Sequence, residues 1–83
     1  MARQSDDRPP LEKALDLTSR LKPGSWDSVE ALALLAIEAQ GRPESASLLE
    51  AAHRAASGLK PGTWDSVRTY AVLARADREL RAP

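Results

Sequence analysis

Leu21-Lys22-Pro23-Gly24-Ser25-Trp26-Asp27-Ser28-Val29 returns thirty-eight positions later as Leu59-Lys60-Pro61-Gly62-Thr63-Trp64-Asp65-Ser66-Val67. Only Ser25 and Thr63 differ. The match runs outward at the same offset. Leu11, Glu12, Ala14 and Ser19 meet Leu49, Glu50, Ala52 and Ser57, while Ala33, Leu35 and Ala36 meet Ala71, Leu73 and Ala74. An identity of this length without a gap is a tandem duplication, and a period of roughly 20–50 residues belongs to stacked supersecondary units.

Each copy reads as two helices around a Pro-Gly turn. Leu11, Ala14, Leu15, Thr18 and Leu21 recur at spacings of three and four, and Leu48, Leu49, Ala52, Ala55, Ala56 and Leu59 repeat the stripe. Pro23 and Pro61 cannot continue those helices, because proline lacks the amide hydrogen and clashes with the preceding turn. Gly24 and Gly62 let the chain reverse. Ser25 and Thr63 stand where N-caps belong, and Asp27 and Asp65 suit the positive end of the following helix dipole. Gly41 breaks the second helix, and Pro43 fits the start of the third. No segment alternates with a strand's period. The expected fold is all-α, with four helices over 11–22, 25–40, 43–58 and 63–80. They form two tandem 38-residue hairpins, arranged as an open array or a compact four-helix bundle. Residues 1–10 read as a flexible N-terminal tail and 11–83 as a single domain.

The differences between the copies say which one lies inside. Trp26, Val29, Leu32, Ala33, Ala36 and Ile37 form one apolar side of the second helix, and Ala31, Leu34 and Leu35 another. A helix that is apolar nearly all round is buried between neighbours. In the fourth helix Glu30 becomes Arg68, Ala31 becomes Thr69, Ile37 becomes Arg75 and Ala39 becomes Asp77. The second helix is therefore predicted to be interior and the fourth to be a terminal element with a wet flank.

Composition removes several function classes. The 83 residues carry twelve Lys plus Arg, twelve Asp plus Glu, one His and no Cys, and 42% are apolar. Without cysteine there are no disulfides, thiolate metal sites or thiol nucleophiles. Zero net charge argues against a module that lives on phosphate neutralisation. Residues 1–10 lack the apolar stretch of a secretory signal. The longest apolar run, Ala31 to Ile37, falls well short of the roughly 20 residues that cross a membrane. The expectation is a soluble cytoplasmic protein, with an Ala, Arg, Leu and Pro bias like that of GC-rich bacterial genomes.

Several residues invite a chemical reading. Glu50-Ala51-Ala52-His53 has the spacing of one half of a bundle di-iron site, but the counterpart Glu12-Lys13-Ala14-Leu15 offers no second ligand pair. No metal or cofactor is expected, and His53 is predicted half-exposed at a helix boundary. Asp27-Ser28 and Asp65-Ser66 set hydroxyls beside carboxylates without a base or oxyanion pocket, so they read as helix-start residues of the repeat signature together with Trp26 and Trp64. The tryptophans are expected to occupy like surroundings, each over its own turn, Trp26 against Leu21 and Trp64 against Leu59. Arg68, Arg75, Arg78 and Arg81 make the last helix basic, and the i,i+4 spacings Arg75–Glu79 and Asp77–Arg81 predict compensating pairs.

A Trp early in one helix (Trp26, Trp64), a Gly between helices (Gly41) and a Pro after the next helix (Pro23, Pro61) resemble the tetratricopeptide repeat, although the period of 38 exceeds that family's usual length of about 34. The resemblance implies two-helix units that bind a protein or peptide along the second and fourth helices. The function expected is a non-catalytic interaction or adaptor module whose partner-binding residues are Leu34, Leu35, Arg68, Tyr70, Leu73 and Arg75. The partner is another protein or peptide. The alternatives are a homodimeric assembly factor using the same strip, or a small nucleic-acid-binding regulator reading through the fourth helix.

Overall fold

The computed structural model describes residues 6–81, so residues 1–5 of the expected tail lie outside the described residues. Four helices follow in order: α1 (Pro10–Thr18), α2 (Trp26–Glu38), α3 (Glu44–Ser57) and α4 (Trp64–Arg81). No strand occurs among the described residues, and no described helix is long and apolar enough to cross a membrane.

Local chemistry sets the boundaries. α1 begins with Pro10 at its first position, where a missing amide costs nothing, and ends at Thr18, short of the expected residue 22. Thr18 Oγ1 donates to the Ala14 carbonyl (2.6 Å) and Ser19 Oγ to that of Asp16 (2.7 Å), occupying acceptors in the last turn. Pro23 further biases Lys22 away from helical backbone. Arg8 bonds both Asp6 and Asp16 (2.7 and 3.4 Å), which ties the segment before α1 to that helix. Gly41, between α2 and α3, has φ +92°, a conformation that favours glycine over residues bearing a Cβ.

The two Pro-Gly turns end in the same reciprocal cap. Ser28 N donates to Ser25 Oγ (3.2 Å), while Ser28 Oγ accepts from the amides of Ser25 (3.1 Å) and Gly24 (3.0 Å). In the second copy Ser66 N donates to Thr63 Oγ1 (3.3 Å), and Ser66 Oγ accepts from Thr63 N and Gly62 N, both at 3.2 Å. Serine at N3 here does what Glu or Gln does in the usual capping box. This accounts for Ser28 and Ser66 within the repeat signature.

Packing centres on α2. It packs extensively against α3 and α4, whereas α1 packs on α2 alone and α3 meets α4 over a short length. Thus the helices joined by a Pro-Gly turn touch only briefly, and the close hairpin is α2–α3, joined through residues 39–43. In a closed four-helix bundle α1 would also meet a second neighbour. Instead the domain is a slab of 49 × 31 × 17 Å with a radius of gyration of 14.0 Å, longer and flatter than a sphere. For a chain this size a spherical domain has a radius of gyration of about 12 Å.

The core contains Val29, Leu32, Ala33, Ala36 and Ala39 from α2 and its end, Leu48, Leu49, Ala52 and Ala56 from α3, and Leu73 and Ala76 from α4. α1 has no buried residue. The second helix is therefore interior and the fourth has a solvated flank, in agreement with the replacements between the copies. Alanine allows close helix approach but buries little area per residue. The larger side chains at the edges of the core consequently carry much of the packing energy.

Candidate functional site

Trp26 does not pack over its own turn. Its indole Nε1 donates to the Lys60 carbonyl (3.3 Å), in the turn of the following copy, and its ring meets Tyr70 in a tilted contact, 5.3 Å between centroids and 59° between planes. Thr69 Oγ1 donates to the Trp26 carbonyl (3.1 Å). Beside these contacts Arg68 Nε donates to Glu30 Oε1 (3.0 Å), a pair between corresponding positions of the two copies. Leu21, the expected partner of Trp26, is 68% exposed. Trp26 is thus the joint between copies, seated on the turn that comes next.

Trp64 has no such seat. It is 85% exposed, so the expectation of like surroundings for the two tryptophans fails. The physical reason is translational: a contact made to the following copy is lost where no described residue supplies that copy. Trp26 and Glu30 of α2 meet α4, and Ala33 and Ile37 continue their stripe at helical spacing; the counterparts Trp64, Arg68, Ala71 and Arg75 are all exposed. Val29, Leu32 and Ala36 of α2 are all buried in the core. Their counterparts Val67 (55% exposed), Tyr70 (45%) and Ala74 are open. Pro61, Thr63, Trp64, Val67 and Tyr70 line an open groove of about 510 Å³ on this face.

The six residues expected to bind a partner do not form one surface. Leu73 is 3% exposed and belongs to the core, so it offers nothing to a partner. It sits on the α2-facing side of α4 with Ser66, Thr69 and Ala76, all buried. Leu35 is half-buried against the core. Leu34 is exposed, but on the opposite side of the α2/α4 layer from Tyr70, because Tyr70 corresponds to Leu32, two positions away along a helix. Arg68 and Tyr70 remain at the open face, with Arg75 further along the same helix.

The basic cast of α4 is largely compensated. Arg68 lies 3.0 Å from Glu30, 3.3 Å from Asp65 and 3.7 Å from Asp27. Its hydrogen bond to Glu30, helped by the charges of Glu30, Asp65 and Asp27, holds the guanidinium pKa above its ordinary value. Both expected i,i+4 pairs are present, Arg75–Glu79 at 2.9 Å and Arg81–Asp77 at 3.7 Å.

One polar contact escaped the sequence reading. His53 Nε2 lies 2.8 Å from Asp77 Oδ1, linking α3 to α4. The counterparts are Leu15 and Ala39, so two apolar residues of the first copy are both replaced by polar ones in the second; that joint replacement is the available signal. Glu50 is exposed, and among the described residues no group of three His, Asp or Glu side chains could hold a metal ion. No protein-family model, curated protein or solved structure matches the chain.

Proposed function

We propose that this chain is a non-catalytic, tetratricopeptide-like interaction module that binds another protein through the open face of α4. A single observation carries the reading. Trp26, Val29, Leu32 and Ala36 are covered in the first copy, while their counterparts Trp64, Val67, Tyr70 and Ala74 are left to solvent. Aromatic and aliphatic side chains clustered on one rigid helix are typical anchors of protein interfaces. The capped start of α4 fixes them before binding, which lowers the ordering cost of association. Carboxylate partners on Arg68 and Arg75 support a protein ligand over nucleic-acid phosphates.

A photo-crosslinking residue at position 67 tests the proposal. The module should give a discrete crosslinked product with a protein in native lysate, and Trp64→Glu in the same chain should abolish it. A label at exposed Ala46 on α3 serves as the control. No product from position 67, or a product indifferent to Trp64→Glu, refutes the reading.

A further inference from the structure

We infer that the α4 face is filled by the α1 end of a second copy of this chain, so that copies stack head to tail and continue the internal repeat. The inference rests on the interaction reading above and names the partner.

The molecule contains the template for this contact. Val29, Leu32 and Ala36 of α2 are buried in the core to which α3 gives Leu48, Leu49, Ala52 and Ala56, and the turn after α3 receives Trp26 on its Lys60 carbonyl. α1 is the sequence copy of α3, and Leu21-Lys22-Pro23-Gly24 is the copy of the receiving turn. At this end too the docking residues are unsatisfied. Ala55 and Leu59 of the second copy pack on the core, whereas their counterparts Leu17 and Leu21 are 54% and 68% exposed. α1 buries no residue completely, as suits a helix that has met only part of its neighbours. The chain thus displays both halves of its own internal joint, one at each end of the slab.

Charge agrees as well. Inside the chain Glu30 pairs with Arg68 between corresponding positions. At a junction between copies the same register sets Arg68 of one chain beside Glu30 of the next, again opposite in sign. Trp64 would lie on the Lys22 carbonyl as Trp26 lies on that of Lys60. Several replacements weaken the junction relative to the internal joint: Arg75 stands where Ile37 does, Ala31 lacks the hydroxyl that Thr69 gives to Trp26, and Glu38, Pro10 and Thr18 stand where the buried Ala76, Leu48 and Ala56 do. Association is therefore reversible and concentration-dependent. Because the two surfaces differ, the contact is heterologous and can propagate beyond a dimer.

Sedimentation velocity with two single variants tests this directly. The wild-type chain should gain mass continuously with concentration. Trp64→Glu blocks one end and Leu21→Glu the other, and each should weaken self-association at least about 30-fold, the loss expected for an interface anchor. Both side chains are mostly exposed, so helical circular dichroism should be retained. Mixed in equal amounts, the variants should form a discrete species of two chains, because each still has the surface the other lacks. A wild-type chain that stays monomeric up to millimolar concentration overturns the inference, as does a mixture that stays monomeric. An association that stops at a symmetric dimer, with no rescue on mixing, overturns it too. If the wild type is monomeric while the position-67 label captures a different protein, self-stacking falls and the interaction reading stands.

Discussion

Substituting each tryptophan separately should produce unequal losses of stability. Trp26 is half-buried, so Trp26→Ala removes on the order of 100 Å² of apolar contact, worth about 2.5 kcal/mol. Losing the tilted contact with Tyr70 adds about 0.5–1 kcal/mol. The indole hydrogen bond to the Lys60 carbonyl adds less than about 1 kcal/mol, because Lys60 is exposed and water can replace the donor. The expected loss is about 3–4 kcal/mol, a large share of the roughly 4–12 kcal/mol that holds a domain this small together. Trp64→Ala removes a side chain 85% exposed and should cost under about 0.5 kcal/mol. Urea unfolding followed by circular dichroism, at micromolar protein where chains are separate, reads the difference. With a slope of about 1 kcal/mol per molar urea, the Trp26→Ala midpoint should fall by about 3 M while that of Trp64→Ala scarcely moves. Equal losses for the two variants would refute the assignment of Trp26 as the joint.

Four further variants check neighbouring parts of the structure. Leu73→Asp should abolish the cooperative transition, since it buries an unpaired carboxylate, whereas Tyr70→Asp should leave the fold intact and cost about 1–2 kcal/mol through the lost contact with Trp26; thermal melts separate them. His53→Leu with Asp77→Ala, which restores the first-copy residues, should leave stability within about 1 kcal/mol of the wild type, because a half-exposed pair contributes little; a loss above about 2 kcal/mol would show the pair to be essential. Gly41→Ala should cost about 1–2 kcal/mol from its φ of +92°, as there is open space for the added methyl; an unchanged urea midpoint would contradict the backbone argument.

The helices, their caps and the interior place of α2 were legible because each depends on local spacing or on differences between the copies. The partners of the tryptophans were not. In a translational repeat, equal sequence specifies equal position within a unit but leaves open whether a residue meets its own turn or the next. Trp26 chose the next, and Trp64 was left bare for the same reason. Leu73 reads as a surface residue because its neighbours on the same side of α4 include Ser66 and Thr69, which look solvent-facing. Their hydroxyls are satisfied by the Thr63 and Trp26 carbonyls, and so they can be buried. α1 ends at Thr18, with the hydroxyls of Thr18 and Ser19 on carbonyls of its last turn, a detail that apolar periodicity does not report.

The two tryptophans, alike in sequence, differ because one has a following turn to sit on. Fluorescence of the single-tryptophan variants Trp64→Phe and Trp26→Phe, recorded with iodide quenching in dilute solution, tests it. Trp26 alone should emit to the blue and resist the quencher, while Trp64 alone should emit like free indole in water and quench freely. Matching spectra and matching quenching for the two variants would contradict the account.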